Sequence, residues 1–226
     1  MTETEFTSGQ RVELVQYMGG DDMVALAAWV SFNKDNEAKL ENTNHVEGLI
    51  NFLWKNSHTS PFEHSVFTFA IETPIFVARE FMRHRAASYN EMSGRYTILP
   101  SKFYLPAADR PLQQEGKAGN YYFVEGTYAQ QREVEGSITR TVEHCVDAYE
   151  RMLNAGVAKE VARMILPVNI YTRFYVTMNA RNLLHFLMLR TDPTALYEIR
   201  AVAGEIEEIF KEKMPMTHKA YKEAQQ

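Results

Sequence analysis

The chain has 226 residues, 45% of them hydrophobic and 12% aromatic, enough for a sizeable core, and we read residues 1–226 as a single domain. No stretch approaches the roughly 18 apolar residues of a membrane span, and the N-terminus lacks a basic region followed by an apolar one. A lone cysteine, Cys145, excludes an internal disulfide framework and a cysteine metal cluster, and the net charge of −5 argues against a surface that coats a nucleic-acid polymer; the expectation is a cytoplasmic protein that can still bind small anions.

Along the chain, Arg11 to Tyr17 alternates as a strand, and Asp21 or Asp22 is placed to cap a helix reaching Phe32. Thr43 to Asn56 reads as a second helix. Ser60-Pro61-Phe62-Glu63 has the form of a capping box with proline at the first helical position, so a short helical turn should precede a strand from Val66 to Glu72. Thr73-Pro74 then opens a helix whose polar face is expected to carry Arg79, Glu80, Arg83 and His84 together. A loop rich in Ser, Asn and Gly follows, from Ala86 to about Thr97. Asn120 to Ala155 reads as a long helical region, broken near Gly126 and Gly136, with an apolar stripe of Ile138, Val142, Cys145, Tyr149 and Met152. Beyond it come a short helix around Ala158 to Met164, a strand from Val168 to Thr177, a helix from Asn179 to Leu189 and a last helix from Pro193 to Glu212. Helices and strands mix without a βαβ rhythm, and no Gly-x-Gly-x-x-Gly occurs. This predicts an α+β fold, a mixed sheet flanked by helices, that is not a Rossmann domain.

The basic residues are unevenly placed. Residues 56 to 101 and 160 to 210 contain no lysine, yet hold Arg79, Arg83, Arg85, Arg95, Arg163, Arg173, Arg181, Arg190 and Arg200. A planar guanidinium grips phosphate or a carbonyl edge through two N–H groups and keeps its proton, whereas lysine is a mobile point charge. The densest chemistry lies in Arg83-His84-Arg85-Ala86-Ala87-Ser88-Tyr89-Asn90-Glu91-Met92-Ser93-Gly94-Arg95-Tyr96, which offers guanidiniums, an imidazole, hydroxyls, an amide and a carboxylate. Those groups suit either an anionic, carbonyl-bearing ligand or an arginine–carboxylate network at a subunit interface. A metal is not implied, because no histidine pair stands with carboxylates at ligand spacing on one helix.

This segment resembles the signature of the flavin-dependent thymidylate synthases, Arg-His-Arg-x-x-Ser-x-Asn-Glu-x-Ser-x-Arg-Tyr, and every specified position matches. The resemblance extends to His58-Thr59-Ser60-Pro61-Phe62-Glu63-His64, Glu160 to Arg163, Tyr171 to Phe174, Asn179-Ala180-Arg181 and Leu189-Arg190, so it covers most of the chain. It implies an enzyme that methylates deoxyuridine monophosphate (dUMP), with FAD as cofactor and with NADPH and methylenetetrahydrofolate as co-substrates. It also implies a homotetramer that shares its sites between subunits. By resemblance, FAD falls to His58, Ser60, Arg83, His84, Arg85 and Glu91, with Asn179, Arg181 and His185 supplied by a neighbouring subunit. The nucleotide falls to Arg83, Glu91, Ser93, Arg95, Arg163 and Arg190, with Glu80 nearby and Arg190 placed against the uracil ring as the catalytic group.

Two readings of the residues themselves stand beside this. Asn179 can cap the helix it begins and leave a positive helix end for a phosphate, and Arg181 and His185 share a helix face at i and i+4. His45, His58, His64 and His185, each taken alone, also suit ordinary contact positions. Cys145 sits in an apolar stripe with no cation at i±4 to lower its pKa, so it is a poor nucleophile, and a methyl transfer without a covalent cysteine is the expectation.

Overall fold

The computed structural model describes residues 3–32, 37–117 and 119–225. In chain order its elements are β1 (Glu5–Thr7), β2 (Arg11–Met18), α1 (Asp21–Trp29), α2 (Thr43–Lys55), β3 (Val66–Pro74), α3 (Ile75–Phe81), β4 (Ser88–Glu91), β5 (Lys102–Tyr104), β6 (Gln113–Lys117), β7 (Asn120–Val124), α4 (Tyr128–Asn154), α5 (Lys159–Ala162), β8 (Tyr171–Asn179), α6 (Ala180–Arg190), α7 (Tyr197–Lys213) and α8 (Pro215–Glu223). Short 3₁₀ turns follow α1, precede α2 and β3, and follow α5. The fold is α+β as the sequence predicts.

The chain divides into two compact units, each assembled from three stretches: residues 1–11, 72–82 and 91–174 in the first, and 12–71, 83–90 and 175–226 in the second. The division falls inside β2, β3, β4 and β8, so no single cut of the sequence separates them.

In the first unit β1 pairs in parallel with β5, Glu5 opposite Lys102 through Thr7 opposite Tyr104, and β6 and β7 form an antiparallel hairpin. A cluster of Phe103, Val142, Val146 and Ile170 makes its core, with Phe6, Ile75, Leu99, Ile138 and Leu166 packed on it. Helix α4 starts at a capping box in which Thr127 accepts from Gln130 N and the Gln130 side chain accepts from Thr127 N, and it runs unbroken past Gly136. The long helical region expected from Asn120 is therefore shorter. Residues 120–124 are a strand, held by five cross-strand pairs with 113–117, and the expected break at Gly126 is the loop between strand and helix. Gly116 explains the hairpin's geometry: its φ is +97°, and a Cβ there would stand 2.3 Å from the Asn120 carbonyl oxygen. The predicted stripe on α4 is real at Val142 and Tyr149, but Val146 takes the buried place beside Cys145, which is only half-buried.

The second unit carries most of each strand of a four-stranded sheet in the order β2-β3-β8-β4, with α1, α2, α6, α7 and α8. Its apolar residues include Val24, Ile50, Phe62, Phe67, Leu187 and Phe210, all fully buried. Gly19, with φ +97°, approaches Ser65 so closely that a Cβ would meet its side chain and Cα at 2.5–2.9 Å. Asp21 does not cap α1; the residue before that helix is Gly20, and the Asp21 carboxylate instead accepts from Met216 N (2.8 Å), Thr217 N (3.0 Å) and Thr217 Oγ1 (2.6 Å). It caps α8, a helix the sequence reading does not foresee. Helix α2 is capped by Asn42, whose Oδ1 accepts from His45 N, and buries Val46, Ile50 and Leu53 at helical spacing. The expected last helix begins later than Pro193, because residues 192–195 form a turn in which Asp192 accepts from Thr194 N at 2.8 Å. Among the described residues no helix is long and apolar enough to cross a membrane.

Candidate active site

Three local departures from the predicted elements shape the site. The Ser60–His64 turn is a 3₁₀ helix without a side-chain cap, so the capping box is not formed; Glu63 is paired with Arg181 instead. Helix α3 stops at Phe81, which releases Arg83 and His84 from it, and the four-residue polar face expected with Arg79 and Glu80 does not exist. Part of the predicted loop, Ser88–Glu91, is strand β4.

Freed from α3, the stretch 83–86 lies along one face of α6. Asn179 caps α6 as predicted, its Oδ1 accepting from Asn182 N at 2.9 Å, and the Asn182 side chain donates to the Ala86 carbonyl at 3.1 Å. At the other end of the helix the Arg190 Nε donates to His84 Nε2 at 3.0 Å. Between these ties lies a cavity of about 310 Å³ lined by Arg83, His84, Arg85, Ala86, Met178, Asn182, His185, Leu189 and Arg190. Asn182, His185 and Leu189 recur at helical spacing, which is why one face of α6 supplies them.

The chemistry of this lining is one-sided. It presents three guanidiniums and two imidazoles and no carboxylate, so an anion entering it meets positive charge and no negative charge. The same field acts on the histidine: burial first, then the charges of Arg190, His185 and Arg83, hold the His84 pKa down to about 4. A larger cavity of about 970 Å³ shares Asn182 and His185 with the first and adds Trp54, Lys55, Ser57, Thr59, Arg181 and Tyr221. His58 and Ser60 are exposed at and beside the turn that precedes β3, and the His58 ring stands edge-on to Phe52 with centroids 5.9 Å apart.

The remaining candidates, Glu80, Glu91, Ser93, Arg95 and Arg163, belong to the first unit. There Glu91 accepts from Thr172 Oγ1 at 2.6 Å and Met92 N donates to the Arg173 carbonyl at 2.9 Å, which fixes the signature strand against β8. After it the chain turns: Arg95 N donates to Ser93 Oγ and Tyr96 N to the Ser93 carbonyl. Arg95 is paired with Glu160 at 3.0 Å and Lys159 donates to the Tyr96 carbonyl at 3.0 Å, so α5 holds this turn from outside. Gly94 packs closely here: a Cβ would stand 3.0–3.1 Å from the Leu99 and Arg163 side chains, which would have to shift. Sequence reasoning overlooked Tyr89, Thr172, Asn182 and Glu160. Tyr89 lies inside the signature and Glu160 inside a matched stretch, but their partners are not visible in one dimension. Among the described residues no group of three or more His, Cys, Asp or Glu side chains is placed to hold a metal ion.

The comparisons with known proteins bear on this arrangement as a whole. The family model described as Thymidylate synthase complementing protein matches residues 13–216. The chain belongs to the flavin-dependent thymidylate synthase family. It is 45% identical over 93% of its length to a flavin-dependent thymidylate synthase of Thermotoga neapolitana, of which the match covers 89%. It is 46% identical to one of Tropheryma whipplei, with 96% of this chain and 93% of that protein aligned. Among solved structures, the UMP/dUMP methylase PolB from Streptomyces cacaoi, bound with 5-Br UMP, superposes with a TM-score of 0.89 at 40% identity over 97% of both chains. The segment Arg83 to Tyr96 lies within the matched residues; its Arg83-His84-Arg85 stretch lines the donor-rich cavity, and its Ser93 and Arg95 form the turn braced by α5.

Proposed function

We infer that this chain is a flavin-dependent thymidylate synthase, an FAD-dependent methyltransferase that converts dUMP to thymidylate. NADPH and methylenetetrahydrofolate serve as co-substrates, and no covalent cysteine is used. The observation that carries the site assignment is the cavity on α6, with its three guanidiniums, two imidazoles and no acid. That donor set fits FAD: Arg83 and Arg85 can neutralise a diphosphate, while Met178 and Leu189 offer apolar surface to a planar ring. We assign FAD to His58, Ser60, Arg83, His84, Arg85, Glu91, Asn179, Arg181 and His185. When bound and reduced by NADPH, the flavin supplies the hydride that completes the methyl group.

The side chains bind and polarise. Arg95 and Arg163 take the nucleotide phosphate, with Arg83, Glu91 and Ser93 as further contacts and Glu80 beside them. Arg190 stands against the uracil, where a fixed cation stabilises the negative charge that must develop on the ring before C5 can attack. Cys145 takes no part: it is half-buried on α4, in the apolar stripe that buries Val142, Val146 and Tyr149. We further propose a folate-binding homotetramer that shares its sites between subunits and works in the cytoplasm, one family domain spanning residues 1–226.

The test is to incubate the protein with FAD, NADPH, methylenetetrahydrofolate and dUMP and to follow thymidylate by chromatography, with UMP as a parallel substrate. Thymidylate that requires all four components is expected. A protein that binds FAD and is reduced by NADPH, yet methylates neither nucleotide, would refute the reading.

A further inference from the structure

His84 is tied at two points. Its Nε2 accepts the Arg190 Nε–H at 3.0 Å, and its backbone carbonyl accepts the Tyr89 hydroxyl at 3.1 Å. An imidazole nitrogen accepts only while it carries no proton, so the bond to Arg190 requires the neutral ring with its proton on Nδ1. The surroundings enforce that state, since burial and the charges of Arg190, His185 and Arg83 all oppose a second proton. The ring plane is constrained as well: Phe186, one helical turn before Arg190, meets it edge-on at 5.0 Å, and His185 meets it at 6.2 Å. Tyr89 is partly buried with its pKa pushed up to about 12, so its hydroxyl keeps the proton it donates.

These contacts converge on one outcome. A free arginine side chain populates many rotamers, and engaging Nε fixes the plane of the guanidinium. With Nε2 so occupied, His84 is also unable to take a proton there from a substrate. We propose that His84 is a positioning residue for Arg190, and that Tyr89 is the strut that places His84. The guanidinium is thereby held ready for the uracil ring before the nucleotide arrives. This rests on the role given above to Arg190.

The experiment is a double-mutant cycle on the FAD-loaded enzyme, reading bound FAD, its reduction by NADPH, KM and kcat for dUMP, and dUMP affinity by calorimetry. His84→Ala removes one of the proposed FAD contacts and should weaken FAD binding; measured at saturating FAD, the flavin should remain reducible by NADPH while thymidylate formation falls by about ten- to a hundredfold, the range expected when a catalytic group loses its placement. His84→Gln, whose amide oxygen can accept from Arg190, should recover most of the loss, and Tyr89→Phe should show a smaller loss of the same kind. In an Arg190→Ala background His84→Ala should cost nothing further in rate or dUMP affinity. Equal losses in both backgrounds, or no gain of His84→Gln over His84→Ala, would overturn the proposal. If His84→Ala does not fold, the cycle of Tyr89→Phe with Arg190→Ala decides by the same criterion. A wild-type enzyme that makes no thymidylate would refute the assigned function instead, and is told apart by that control.

Discussion

Asp21→Ala should weaken the second unit through a helix that is remote in sequence. The Asp21 carboxylate is 8% exposed and accepts three hydrogen bonds, two of them from the first-turn N–H groups of α8 at Met216 and Thr217. A hydrogen bond to a charged group contributes about 1.5–3 kcal/mol, and a buried donor left without a partner costs about 1–3 kcal/mol. Against this, removing the carboxylate relieves the cost of burying it, the same burial that raises the Asp21 pKa above the usual carboxylate value. Met216 is only half-buried, whereas Thr217 is fully buried, so the Thr217 donors are the ones left without a substitute partner. The net loss is therefore about 2–4 kcal/mol, within the range for losing a helix cap together with a buried polar network. For a chain of this size that is a fall in Tm of about 4–16 °C. Because Tyr221 of α8, and Ala224 just beyond it, line the larger cavity, FAD affinity should fall in parallel. Calorimetric melts with and without FAD measure both. A drop below about 2 °C would mean that the three bonds are replaced by water and that Asp21 does not hold α8.

Arg95→Lys should raise the KM for dUMP more than it lowers kcat, because a forked donor becomes a point charge and the Glu160 partner is retained; an unchanged KM would remove Arg95 from the phosphate site. Cys145→Ala should keep activity within about tenfold and cost about 1–2 kcal/mol of packing, measured by turnover and by melting, and a larger loss in a folded protein would show a chemical role. The pH dependence follows from His84, whose pKa is about 4 when folded against an ordinary 6.5. The unfolded chain takes up this proton first, so the contribution is complete above about pH 6.5 and is lost as pH falls toward 4. The full difference is worth about 3 kcal/mol, and screening of the partly exposed ring reduces it to about 1–2 kcal/mol. Denaturant melts of wild type and His84→Gln should converge by about that amount between pH 7 and pH 4; parallel curves would refute it.

Patterns of short range were legible in the sequence. The alternation of β2, the apolar spacing of α2, and the Asn179 cap of α6 appear where expected, since each depends on neighbours within a few residues. Misreadings arise where a partner lies far along the chain. Asp21 has every local mark of a cap for α1, yet its donors are 195 and 196 residues away. Ser60 and Glu63 have the form of a capping box, but Glu63 is drawn to Arg181. Residues 120–124 have the β-prone sequence Asn-Tyr-Tyr-Phe-Val, which became a strand once 113–117 paired with it, and helical periodicity alone could not reveal that pairing. At the site, the signature identified the residue types, while the joining of His84 to Arg190 across 106 residues required the fold.

The interleaving of the two units bears on how the protein is made. A ribosome releases residues 12–71 early, but the second unit lacks β8, α6, α7 and α8 until residues 175–223 have followed. The first unit is likewise incomplete until β8 begins, because β1 must wait for β5 and the core must wait for Ile170. Neither unit can finish during early synthesis, and the Asp21 carboxylate has no α8 donors until Thr217 emerges. Strand Val66–Pro74 thus waits for its β8 neighbour until residues 171–179 emerge, and partly folded chains that expose such apolar strands are prone to aggregate.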